Sequence, residues 1–197
     1  MDKTELAALL GSRICHDLIS PLGAIGNGVE LLAMAGQGTG PEVALISESV
    51  ANANARIRFF RVAYGMAGAD QRMGRPEILS ILGESTRGGR TVIDWRVAGD
   101  LPRREVRLAF LALQCLETAM PYGGQVAVDR EGARWTLAGT ARKLRHDAAL
   151  WDALCDPLMA LSLTPAQVHF GLLREDLTAQ NRHAALRIAD QVIELSF

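Results

Sequence analysis

Apolar residues recur at steps of four and three along the first third of the chain. Ile14, Leu18, Pro21, Ile25, Gly28 and Leu32 form one stripe, and Val43, Ile46, Val50, Ala53, Ile57, Phe60 and Tyr64 form a second. Each is a heptad seam, so the spacing predicts two long helices, the first over residues 3 to about 35. Gly36 to Pro41 (GQGTGP) reads as the turn between them, with glycines ending one helix and Pro41 starting the next. A turn this short makes the helices antiparallel neighbours. A lone helical pair leaves apolar surface bare, and two hairpins from two chains supply the four helices of a bundle.

Gly65 to Pro76 (GMAGADQRMGRP) is a loop and the best domain boundary. It separates a helical hairpin, residues 1–68, from a second unit, residues 74–197. There the pattern becomes mixed. Pro76 to Glu84 predicts a short helix, Thr91 to Val97 a strand, and Arg103 to Met120 an amphipathic helix with Val106, Phe110, Leu113 and Leu116 inward. Gln125 to Asp129 and Arg134 to Ala138 predict a hairpin. His146 to Leu154 and Thr164 to Ala179 predict helices, the latter with a Thr-Pro start. His183 to Ile188 and Gln191 to Phe197 close the chain as strands. Helices on one face of a mostly antiparallel sheet make an α+β sandwich.

Composition narrows the function. Of 197 residues, 49% are hydrophobic and 22% charged, with a net charge of -1, which is ordinary globular material without a global pull toward nucleic acid or membrane. Cys15, Cys115 and Cys155 are odd in number and widely spaced, so they form no disulfide framework or metal pattern and read as buried thiols. The opening MDKTELAALL lacks the features of a secretion signal, and no apolar run is long enough to span a membrane. A reducing, cytoplasmic setting follows.

The informative stretch is SRICHDLISPLGAI, Ser12 to Ile25. On a helix His16 lies about 200° from both Ile14 and Leu18, so it points away from the seam toward solvent. Ser20, Gly23 and Asn27 continue that face, and small residues beside an exposed imidazole let another protein come close. Pro21 removes a backbone N–H and takes the usual partner from the Asp17 carbonyl, so a kink is expected just beyond His16. A neutral imidazole nitrogen is a good nucleophile toward phosphorus. Asp17 can accept from the other ring nitrogen and select the tautomer, and Ser20 can hydrogen-bond a phosphoryl group.

The pattern H-D-x-x-x-P-L-x-x-I, here His16, Asp17, Pro21, Leu22 and Ile25, resembles the phospho-acceptor box of bacterial sensor histidine kinases. The order of hairpin and α/β unit is similar too. The stretch FLALQCLETAMPYGGQVAV resembles the asparagine-box helix of the kinase ATP-binding domain, yet Phe110 and Gln114 stand at its two asparagine positions. LAGTARKLRHDAALW lacks the expected D-x-G-x-G, and of the second glycine box only Gly171 matches. Phosphate-cradling loops need those glycines.

A kinase-like fold with an intact acceptor box and a ruined nucleotide site resembles the ChpT-type dimeric histidine phosphotransferases of phosphorelays. That resemblance implies His16 as the phosphorylated residue with Asp17 and Ser20 as its catalytic neighbours. It implies a homodimer that takes a phosphoryl group from the receiver domain of a hybrid histidine kinase and passes it to response-regulator receiver domains. It also implies no cofactor on this chain, with Mg²⁺ on the partner receiver, and a degenerate ATPase-like second domain used for docking. Two rival readings keep the same residues. One is an ATP-dependent histidine kinase with divergent boxes; the other is a non-catalytic module that docks regulators.

The remaining motifs are assigned no role. Arg87-Gly88-Gly89-Arg90 reads as a solvated turn, His146-Asp147 as a helix start, His169 as a face residue, and His183 as a strand opening. Trp95, Trp135 and Trp151 read as core.

Overall fold

The computed structural model describes residues 3–35, 40–65, 68 and 70–197, with the side chains of residues 3–5, 8, 12, 15, 19, 33 and 35 outside that description. Residues 36–39 of the expected turn and the Cys15 thiol fall outside it.

Helix α1 spans Lys3–Ala35 and α2 Pro41–Ala63. Asp17 lies opposite Arg56, and Gly28 opposite Ile46, so the two run antiparallel. Gly28 sets their separation: a Cβ there would fall 2.4 Å from Ile46 Cγ1. Pro41 occupies the first turn of α2, where a missing N–H is harmless. The seam is only partly covered. Val50 and Ile57 are 41% and 47% exposed. Leu10, Ile14, Leu18, Ile57, Phe60 and Tyr64 line an open apolar groove along the hairpin. No helix among the described residues is long and apolar enough to cross a membrane.

The rest of the chain runs β1 (Arg72–Met73), α3 (Arg75–Ser85), β2 (Thr91–Trp95), β3 (Leu101–Pro102), α4 (Arg103–Ala119), β4 (Gly124–Glu131) and β5 (Arg134–Thr140). It ends with α5 (Ala148–Cys155), a 3₁₀ turn (Pro165–Gln167), α6 (Val168–Ala179), β6 (Ala185–Ala189) and β7 (Val192–Ser196). The main sheet has the order β2-β4-β5-β7-β6. Only β2 and β4 pair in parallel, and α4 provides the crossover that such pairing requires. Alternation sends Val126, Val128, Trp135, Leu137, Ile193 and Leu195 to the helix-covered face, all fully buried. The opposite face is partly open, which matches the expected one-sided sheet.

Helix α4 is the centre of the molecule. Val106, Phe110, Leu113 and Leu116 are buried as expected, but so are Leu108, Leu111, Ala112 and Cys115 on its other sides. The four inward residues are those expected, and burial reaches further round the helix because α2 and α6 cover its flanks. Phe59 of α2 stacks on Phe110 with ring centroids 4.8 Å apart, and Trp95 meets Phe110 edge-on at 6.4 Å. Burial of one such ring stabilises by about 1.5–3 kcal/mol, and this stack fastens the hairpin to the α/β unit. Arg107 Nη1 adds a bond to the Gly65 carbonyl at 3.0 Å, and Arg103 bonds that of Arg61.

Buried charge is satisfied at Glu105, which accepts from Trp135 Nε1 at 2.8 Å and from Arg182 Nη1 at 3.2 Å. The three tryptophans are core residues, as expected. Asp147 caps α5, accepting from the Leu150 amide, so the His146-Asp147 helix start holds.

Candidate functional site

Helix α1 continues on both sides of Pro21, whose side chain is buried, and so presents His16, Ser20, Gly23 and Asn27 together on its outer face. His16 is 85% exposed, whereas its neighbour Asp17 is only 8% exposed. One residue step on a helix turns the side chain by about 100°, which separates an outward ring from an inward carboxylate.

The two nevertheless touch. His16 Nδ1 lies 3.0 Å from Asp17 Oδ1. A carboxylate only accepts, so the contact requires a hydrogen on Nδ1, and in the neutral ring the lone pair then lies on Nε2, toward solvent. The other oxygen, Asp17 Oδ2, accepts from Arg13 Nε at 2.7 Å, and Arg56 Nη1 stands 3.9 Å away. Arg13 Nη1 reaches across to donate to the Ala166 carbonyl at 2.9 Å, in the 3₁₀ turn of the α/β unit.

Behind Asp17 lies a cleft of about 170 Å³, bounded by Arg13, Arg56, Ser85, Gln114 and Glu117 over Phe59 and Phe60. Burial pushes the Glu117 carboxyl up to about 7, against the pull of Arg13 and Arg56. Burial likewise raises the Tyr64 phenol to about 12, with the Gln114 side chain pulling the other way. Gln114 Oε1 has no hydrogen-bond partner among the described residues. Phe110, at the other of the two asparagine positions, is packed in the aromatic stack and offers no oxygen. Among the described residues no group of three or more His, Cys, Asp or Glu could hold a metal.

Deeper still is His169, and the expectation of a face residue is corrected. Its side chain is 1% exposed, because α6 turns that face inward against α4. Thr118 Oγ1 donates to the Gln114 carbonyl and lies 3.1 Å from His169 Nε2, from which it can accept. Burial lowers the His169 pKa to about 3, so the ring stays neutral. Cys155, half-buried, is less enclosed than expected, whereas Cys115 is fully buried.

Ser20 is exposed and lines a larger cleft of about 480 Å³ beside the His16 face. Asn52 and Arg56 of α2 line it too, as do Ser85, Arg87 and Gly89. The Arg87-Gly88-Gly89 segment is an exposed turn, as expected, with Gly88 at φ +70°, but that it shares a cleft with Ser20 is a tertiary fact. Sequence reasoning passed over Arg13, Arg56 and Glu117. Arg13 had a local signal, since it stands four residues before Asp17 on a helix; the other two had none.

Comparison with known proteins agrees with this architecture. A family model described as the histidine phosphotransferase C-terminal domain matches residues 75–191. The protein phosphotransferase ChpT of Brucella abortus (strain 2308) is 40% identical over 147 residues, covering 72% of this chain and 70% of its own length. A solved structure of a bacterial phosphotransferase superposes with a TM-score of 0.82 at 29% identity, covering 100% of this chain and 97% of that one.

Proposed function

Since this chain belongs to the histidine phosphotransferase family, we propose that it is a phosphorelay intermediate that carries the phosphoryl group on His16. One observation carries the reading: an outward imidazole whose Nδ1 is held by Asp17 while Nε2 stays open. In the loading step Nε2 attacks the phosphorus of an aspartyl phosphate on the receiver domain of a hybrid histidine kinase. The N–P bond forms, the P–O bond to the aspartate breaks, and the carboxylate leaves with the electron pair. The ring retains its Nδ1 hydrogen and becomes cationic, facing Asp17. In the unloading step a carboxylate of a response-regulator receiver domain attacks phosphorus, and the N–P electron pair returns to Nε2. Ser20, on the same outer face, donates to phosphoryl oxygens. Catalysis here is mainly positioning.

In this reading the chain needs no cofactor of its own, and Mg²⁺ belongs to the receiver. The packing of Phe110 against Phe59 supports that view, because a nucleotide would have to displace the stack. The ATP-dependent alternative requires labelling of the isolated protein by ATP with Mg²⁺. The half-covered seam and the apolar groove of the hairpin support a homodimer built as a four-helix bundle. We assign residues 1–68 to transfer and dimerisation and 74–197 to a degenerate ATPase-like docking domain, working in the cytoplasm.

The test is incubation with a phosphorylated receiver domain, followed by assay for acid-labile, base-stable phosphate on this chain and its passage to a second receiver. His16→Ala should abolish both while leaving the dimer intact. Relay by that variant would end the proposal, and receiver binding indifferent to His16 without any phosphohistidine would favour a docking module.

A further inference from the structure

Asp17 carries two loads at once. Its Oδ1 receives the His16 ring, and its Oδ2 receives Arg13 Nε. Rotation of the carboxylate would break both contacts, so whatever fixes Oδ2 also fixes the direction in which the ring hydrogen points. Arg13 is itself fixed from the far side. Its Nη1 donates to the carbonyl of Ala166, 153 positions along the chain. That carbonyl belongs to the 3₁₀ turn held by a capping box between Thr164 and Gln167.

We infer that Arg13 is a positioning residue for transfer at His16, through which the α/β unit sets the orientation and tautomer of the acceptor ring. The inference rests on the reading of His16 as the acceptor. An ordinary exposed helix pair at i, i+4 is weak and orients nothing. This one differs in two respects. The carboxylate is 8% exposed and the guanidinium side chain 24% exposed. The guanidinium also uses two of its donors in a fixed planar fork, one on each structural unit. Arg56, at 3.9 Å from Oδ2, adds charge but lies beyond hydrogen-bond distance and cannot fix the carboxylate. Lysine offers one short-reaching ammonium and cannot span the Asp17 oxygen and the Ala166 carbonyl together. The α/β unit thereby acts on the chemistry without placing any group of its own on the ring.

The experiment uses the full chain with ¹⁵N-labelled histidine and a receiver domain loaded by acetyl phosphate. Long-range ¹H–¹⁵N spectra report the tautomer of His16, whose signal is identified by its loss in His16→Ala. The unmodified protein should show hydrogen on Nδ1. Arg13→Gln should move the ring toward the Nε2–H form that free imidazole favours. It should also lower the maximal transfer rate about tenfold, the effect of losing one charge-assisted hydrogen bond, without changing the receiver concentration at half-saturation. Arg13→Lys should fall between the two. Thr164→Ala with Gln167→Ala, remote from the ring, should shift the tautomer the same way. Unchanged tautomer and rate in Arg13→Gln, or a slower rate with the tautomer intact, overturns the inference. Should Arg13→Gln fail to fold, the lysine and remote variants decide by the same two readouts. Relay through His16→Ala would instead sink the reading beneath it.

Discussion

Replacing Asp17 by Asn tests whether the carboxylate stabilises the loaded ring or merely sits beside it. The substitution keeps the shape but leaves one oxygen where Nδ1 and Arg13 Nε each need an acceptor, so the negative charge is lost and one of the two contacts with it. A hydrogen bond to a charged partner contributes about 1.5–3 kcal/mol and a neutral one about 0.5–1.5 kcal/mol. The carboxylate is buried but the ring is 85% exposed, and water screens part of that difference. A net loss of about 1–2 kcal/mol in the transition state remains, which corresponds to roughly 5- to 30-fold in rate. The assay is single-turnover transfer from a phosphorylated receiver domain, sampled by rapid quench, with thermal melting to confirm the fold. A rate within twofold of the parent would refute an electrostatic role for Asp17. A loss beyond a thousandfold would mean that the aspartate does more than face a cation.

Other outcomes follow from packing and titration. Burial holds His169 near 3 against an ordinary 6.5, so the unfolded chain binds the proton first and stability falls as pH drops from 6.5 toward 3. Glu117 works in the opposite sense: raised from 4.5 to about 7, it loses stability as pH rises through that window. Urea denaturation from pH 4 to 8 should show each slope vanish in His169→Gln and Glu117→Gln respectively. Phe110→Ala empties the stack against Phe59 and should cost about 3–5 kcal/mol in denaturant-derived stability. Gly28→Val drives a side chain into Ile46, and overpacking of this kind should cost about 1–3 kcal/mol, read as a lower melting temperature.

The helical hairpin was legible because its seams repeat every three or four residues over long stretches, and the outward placement of His16 follows from the same periodicity. The order of strands and helices was legible from alternation and turn residues, and Asp147 and Thr164 announce their helices by type. Burial around α4 was not, since Leu108 and Leu111 look like the surface flank of an amphipathic helix until α2 and α6 are laid against them. His169 was misjudged for the same reason: one polar residue in VHFGLL gives no sign of which partner will cover it. The cleft behind Asp17 brings together residues from α1, α2, α3 and α4, and no local pattern encodes such a meeting. The Ala166 carbonyl was the least readable part, because a backbone acceptor leaves no mark on residue type.

Among the described residues nothing walls off the ring at position 16, which is 85% exposed. On the proposed reading a phosphoramidate there stands in water between its two transfers, so its persistence is a property of the N–P bond and not of any enclosure. Discrimination among donors and recipients must then come from the surface around the ring, and the interval between loading and unloading fixes how much signal is lost to hydrolysis.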